Sequence, residues 1–170
     1  GPHPTHDKTI VENKFIDAIC TGEGEEAFSE FLELHPDENF YSVRNFSFVT
    51  DDGIVINNPL RPLIDINTLP IPDYDFFPRH SGDRIVTFAS RNCVYRCTYC
   101  FNRDYADTYK EIGVKQIYSV MDVDKFIMTL KYLKDKYKGE FKYFFFSDDV
   151  FPIKRKWLSE FSERYRKEIS

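Results

Sequence analysis

Two apolar runs, Arg84-Ile85-Val86-Thr87-Phe88-Ala89-Ser90 and Phe141-Lys142-Tyr143-Phe144-Phe145-Phe146, have strand character and stand too far apart for a hairpin. Between them, Asp122 to Lys138 carries Phe126, Ile127, Leu130, Leu133 and Tyr137 at helical intervals, opens on Asp122 and Asp124, and stops at Gly139. A second amphipathic segment comes next, with Trp157, Leu158, Phe161 and Tyr165 on one side. Strand, helix, strand, helix in this order closes in the right-handed sense, so the two strands run parallel and both post-strand loops reach the same sheet edge. Barrels of this kind do their chemistry at that edge. The run from Phe141 to Phe146 reads as a strand buried on both faces.

The first of the two loops holds Cys93-Val94-Tyr95-Arg96-Cys97-Thr98-Tyr99-Cys100, a C-x3-C-x2-C run. A closed zinc site needs four protein donors, commonly two C-x2-C hooks, and the second hook is missing. The remaining cysteine, Cys20, lies far upstream, and His3, His6, His35 and His80 form no ligand pair with it. Three thiolates on a four-iron cube would instead leave one iron open to a small molecule. Positions 93, 97 and 100 would also share one face of a helix, so plain apolar packing and a zinc-stapled binding module stay open as alternatives. The second loop carries Ser147-Asp148-Asp149, an acidic pair that either binds a ligand or caps the next helix. Arg91 and Arg96 flank Cys93, where positive charge favours thiolates and electron uptake by an anionic cluster.

The spacing, with Tyr99 as the aromatic before the last cysteine, resembles the radical S-adenosylmethionine family. That resemblance implies a 4Fe-4S cluster held by Cys93, Cys97 and Cys100, with S-adenosylmethionine on the open iron, Tyr99 near its adenine, and Asp148 and Asp149 near its amino group. Its chemistry is reductive cleavage of S-adenosylmethionine to a 5'-deoxyadenosyl radical, with an electron donor such as flavodoxin or ferredoxin.

Upstream, Gly1-Pro2-His3-Pro4-Thr5 reads as a loop and Phe15 to Cys20 as a strand. Thr21-Gly22-Glu23-Gly24-Glu25-Glu26 then opens a helix with Ala27, Phe28, Phe31 and Leu32 on its inner side. Together with the cysteine run, this order resembles cobalamin-dependent radical S-adenosylmethionine enzymes. By that resemblance His3, Pro4, Thr5, Gly22 and Glu23 would border cobalamin. Residues 44–50 and 53–57 flank an Asp52-Gly53 turn and predict a hairpin. Prolines 59, 62, 70, 72 and 78 stiffen the stretch downstream of the hairpin, which includes the segment ending at Phe76-Phe77.

The expected fold is therefore α/β. Residues 1–38 would form the C-terminal end of a Rossmann-like cobalamin-binding domain, 39–80 a connector with the hairpin, and 81–170 the first βαβα units of a partial TIM-type radical barrel. Met121 and Met128 are the only methionines, and the chain reads as a fragment of a longer enzyme, inactive alone. The resemblance implies methyl transfer by way of cobalamin to an unactivated centre of a small-molecule or peptide substrate. Methylthiotransferase-like or ring-forming chemistry is the enzymatic alternative.

Net charge of −5 and a pI near 5.4, without a basic stripe, argue against nucleic acid as a partner. No apolar run is long enough to span a bilayer, and clustered free cysteines suit a reducing, cytoplasmic setting.

Overall fold

The structure, a computed structural model, describes residues 2–35, 38–76 and 83–169. Phe77, at the end of the proline-rich segment, lies outside the described residues. The chain divides into two compact units, Gly1–Ile64 with Tyr95–Ile117, and Asp65–Val94 with Tyr118–Ser170.

In the first unit the opening prolines do not form an irregular loop. Pro2–His6 makes a short helical turn, α1, because proline preorganises the backbone of a first turn and leaves no amide donor unsatisfied there. Strand β1 is Ala18–Cys20, helix α2 is Glu25–Leu34, and strands β2 and β3 are Phe46–Val49 and Val55–Asn57. The three strands form one antiparallel sheet in the order β1-β2-β3, with Ile19 opposite Ser47 and Phe48 opposite Ile56. The predicted hairpin is therefore present, turning at Gly53 with φ of 81°. Its first strand pairs directly with β1.

Helix α2 buries Ala27 and packs Phe31 and Leu34 toward the sheet, and the Phe31 ring stacks on Phe46 at 5.1 Å. Phe28 and Leu32, expected on that inner face, are more than half exposed. The buried stripe runs through positions 27, 31 and 34, which rotates 28 and 32 outward. Helix α3, Phe101–Glu111, has no counterpart among the expected elements; it is polar over most of its surface and packs through Phe101, Tyr105 and Tyr109, spaced four apart.

The second unit contains β4 (Arg84–Thr87), β5 (Ser90–Arg91), β6 (Ser119–Val120), α4 (Val123–Lys136), β7 (Tyr143–Phe146) and α5 (Arg155–Glu168). Strands β4 and β7 are parallel, Ile85 opposite Phe144 and Thr87 opposite Phe146, as the crossover requires. Between α4, α5 and β7 lies an aromatic core in which Phe126 is fully buried among Phe146, Trp157 and Phe161. Two expectations fail here. Leu158 is 37% exposed, since α5 turns Trp157, Phe161 and Tyr165 inward. Strand β7 is not buried on both faces: Phe144 and Phe146 pack on the core while Tyr143 and Phe145 are about half exposed.

Candidate functional site

The predicted strand over residues 84–90 breaks after Thr87, and the break has an identifiable cause. Asp148 Oδ1, just past β7, accepts the backbone N–H groups of Ala89 (2.9 Å) and Ser90 (2.6 Å) and lies 2.6 Å from Ser90 Oγ. Those two amides are thereby taken out of the ladder, and Ser90–Arg91 pairs antiparallel with Ser119–Val120 instead. Ser90 Oγ is also 2.8 Å from the carbonyl of Val150, which accepts the Tyr118 hydroxyl at 3.1 Å. Asn92 then adopts φ of 61°, a left-handed conformation that asparagine tolerates better than most residues, and Cys93 comes directly after it.

Burial pushes the Asp148 carboxyl above its ordinary value, outweighing its donors from Ser90 and Ala89. Its Oδ2 atom is buried and has no hydrogen-bond partner among the described residues. The Tyr118 phenol is also raised, first by burial and then by the nearby Asp148 and Cys93 charges. Asp149, next in sequence, is exposed.

The boundary between the units falls inside the cysteine run, between Val94 and Tyr95. In the first unit Cys97 is exposed and its carbonyl accepts the Cys100 N–H at 3.1 Å. Cys100 has extended backbone and forms the N-cap of α3, so its sulfur stands where a helix favours negative charge. These loop conformations exclude the reading of 93, 97 and 100 as one helix face. The Asn102 amide, mostly buried, donates toward Cys100 Sγ at 3.9 Å. Arg96 is bound to Asp107 at 2.5 Å and holds that carboxyl below its ordinary value, while the Arg91 guanidinium lies over the Phe88 ring at 5.5 Å. Tyr99 is 92% exposed. None of the four cysteines is in a disulfide. Among the described residues no three His, Cys, Asp or Glu side chains gather closely enough for a single metal ion.

Of the residues expected to border cobalamin, Thr5 and Gly22 are in direct contact. Gly22 N–H donates to Thr5 Oγ1 at 2.9 Å, and the Thr21 hydroxyl reaches the Pro4 carbonyl at 3.4 Å. Glu23 accepts the Ile64 N–H on Oε2 at 2.7 Å, and its own N–H donates to the Tyr109 hydroxyl at 3.1 Å. Thr5 and Gly22 are buried, Pro4 and Glu23 half-buried, and His3 exposed. Ser90, Asn102, Tyr109 and Tyr118 went unnoticed in the sequence; only Tyr109 had a visible signal, the four-residue repeat from Phe101.

No protein-family profile matches the chain. Over 99% of its length it is 27% identical to an uncharacterized methyltransferase of Pyrococcus horikoshii, and over 96% it is 25% identical to the anaerobic magnesium-protoporphyrin IX monomethyl ester cyclase of Rubrivivax gelatinosus. The chain spans 36% and 30% of those two proteins, about a third of each.

Among solved structures, 98% of the chain superimposes on the cobalamin-dependent S-adenosylmethionine radical enzyme OxsB with a TM-score of 0.73 at 18% identity, covering 23% of that protein. The form of OxsB with aqua-cobalamin and S-adenosylmethionine bound gives 0.71 at 17% identity, covering 24% of it. The radical S-adenosylmethionine methyltransferase TsrM of Kitasatospora setae, with tryptophan substrate and aza-SAM bound, gives 0.63 at 15% identity, covering 33% of it.

The mixed α/β chain with open sheets thus matches a portion of cobalamin-dependent radical S-adenosylmethionine enzymes. The resemblance first drawn from the cysteine spacing holds over nearly the whole chain in fold.

Proposed function

We propose that this chain is part of a radical S-adenosylmethionine enzyme in which Cys93, Cys97 and Cys100 hold a 4Fe-4S cluster. The observation that carries the reading is the cysteine run that follows β4 and the short β5, with Cys93, Cys97 and Cys100 all outside any disulfide and Cys100 at a helix N-terminus. The donor set suits a four-iron cube, which spreads three thiolates over three corners and keeps one iron open. When bound, the cluster supplies one electron to the sulfonium of S-adenosylmethionine. Tyr99 is exposed, as a contact to the adenine requires, and Asp149 is the exposed member of the acidic pair, suited to the cofactor's ammonium group.

Methyl transfer with cobalamin is the favoured activity, supported by the fold shared with OxsB and TsrM and by the methyltransferase relative. His3 and Pro4 offer accessible surface toward such a cofactor, while Thr5, Gly22 and Glu23 shape the loop behind them. Ring formation is the second reading, favoured by the cyclase relative. A division into a cobalamin-binding part at 1–38, a connector at 39–80 and a barrel part at 81–170 belongs to this proposal, as do an external electron donor and a cytoplasmic setting. No helix among the described residues is long and apolar enough to cross a membrane.

Anaerobic reconstitution tests the reading. The chain is expected to take up about four iron and four sulfide with broad brown absorbance. One colourless zinc per chain, without iron or sulfide, would overturn it.

A further inference from the structure

The acidic pair after β7 divides its labour in a way the sequence does not reveal. We propose that Asp148 is a positioning residue for the cysteine loop, shaping the turn that delivers Cys93, and that it does not contact S-adenosylmethionine. This rests on the cluster reading above.

Three observations carry it. Asp148 Oδ1 is already occupied by the Ala89 and Ser90 amides and faces the Ser90 hydroxyl at 2.6 Å. Its other oxygen is buried, so neither oxygen presents a solvent-facing acceptor to a ligand's ammonium group. The chain it holds leads directly to the first thiolate: Ser90 enters the short antiparallel pair opposite Val120, Asn92 turns through a left-handed conformation, and Cys93 is the next residue. The same exit is braced from the other side, because the Ser90 and Tyr118 hydroxyls both reach the Val150 carbonyl. Without the Asp148 carboxylate, two adjacent amides lose their acceptor and are free to extend β4 toward residue 90. Cys93 would then leave the strand in a different direction.

The test compares the full chain with its D148A, D148N and D149A variants after anaerobic loading with iron and sulfide. Iron and sulfide content, melting temperature, and the electron paramagnetic resonance of the dithionite-reduced cluster with and without S-adenosylmethionine are recorded. In D148A the cluster content should fall about tenfold, as when a residue orienting a metal ligand is removed, and any residual cluster should show an altered signal before the cofactor is added. D148N, whose amide oxygen can accept the same donors, should load like the wild type and keep the cofactor-induced change in the signal. D149A should load fully and lose that change.

Full loading of D148A overturns the assignment, with or without the cofactor response. If D148A does not fold, D148N decides: loading with loss of the cofactor response overturns the proposal, and loading with that response intact supports it. A wild-type chain that takes up no cluster overturns the cluster reading itself, and the assignment with it.

Discussion

The Tyr109 hydroxyl accepts the backbone N–H of Glu23 at 3.1 Å, joining residues 86 positions apart, and it occupies the space where a β-carbon on Gly22 would project. Gly22 has φ of 76°, so two independent requirements fix a glycine there. Gly22→Ala is expected to cost about 1–2 kcal/mol from the left-handed backbone alone, with steric overlap on Tyr109 added. Tyr109→Phe should cost about 1–3 kcal/mol by leaving the Glu23 amide without its acceptor. The two should be non-additive, because removing the hydroxyl makes room for the new methyl group. Urea unfolding of both single variants and the double variant measures this, and strict additivity would count against the contact.

Phe126 and Leu158 separate core from surface on the α4–α5 pair. Phe126 is fully buried with the rings of Phe146 and Phe161 each 5.3 Å away, so Phe126→Ala should destabilise by about 3–5 kcal/mol. Leu158, although it comes directly after Trp157, should change stability by less than about 0.5 kcal/mol when replaced by alanine, as at other exposed sites. Denaturant midpoints for the two variants check the rotation of α5 directly.

Two carboxyls should bend the pH dependence of stability in opposite directions. Glu168 pairs with Arg164 at 2.8 Å and Lys131 at 3.1 Å, and these hold its carboxyl below the ordinary 4.5. Its contribution is present above that ordinary value and lost as pH falls through the lowered one. Asp148 is held above its ordinary 3.8 by burial, so the native state binds its proton more tightly and stability declines as pH rises from 3.8 through the raised value. E168Q should therefore flatten the acid loss of stability below pH 4.5, whereas D148N should remove a decline that begins near pH 3.8. Melting temperatures measured across the acid range for the wild type and both variants resolve the two signs.

The parallel pairing of β4 with β7 was legible because chain connectivity dictates it, and the α4 register because five apolar side chains repeat at helical spacing. What escaped the sequence was set by long-range contacts. Nothing local in Phe88-Ala89-Ser90 says that the strand stops at Thr87; the cause is a carboxylate 58 residues from Ser90. Helix α3 was hidden for a related reason: its exposed surface is polar and its three packing rings find their partners across the first unit. Phe28 and Leu32 misled because five apolar residues on a ten-residue helix, Ala27, Phe28, Phe31, Leu32 and Leu34, exceed the width of the stripe that its sheet can cover.

Thiol reactivity offers a check that needs no cofactor chemistry. Cys97 is exposed, whereas Cys20 is half-buried and its thiol is pushed up, chiefly by burial and with an added contribution from Glu25. Because the thiolate is the reacting species, an upward-pushed thiol has a smaller reactive fraction at neutral pH. In the unloaded chain, iodoacetamide should label Cys97 first and Cys20 last, as read by peptide mapping over time. Loading with iron and sulfide should then protect Cys93, Cys97 and Cys100 together while leaving the slow labelling of Cys20 unchanged. Protection of Cys20 alongside the other three would mean that the upstream cysteine joins the site, and would replace the open three-thiolate arrangement with a closed four-thiolate one.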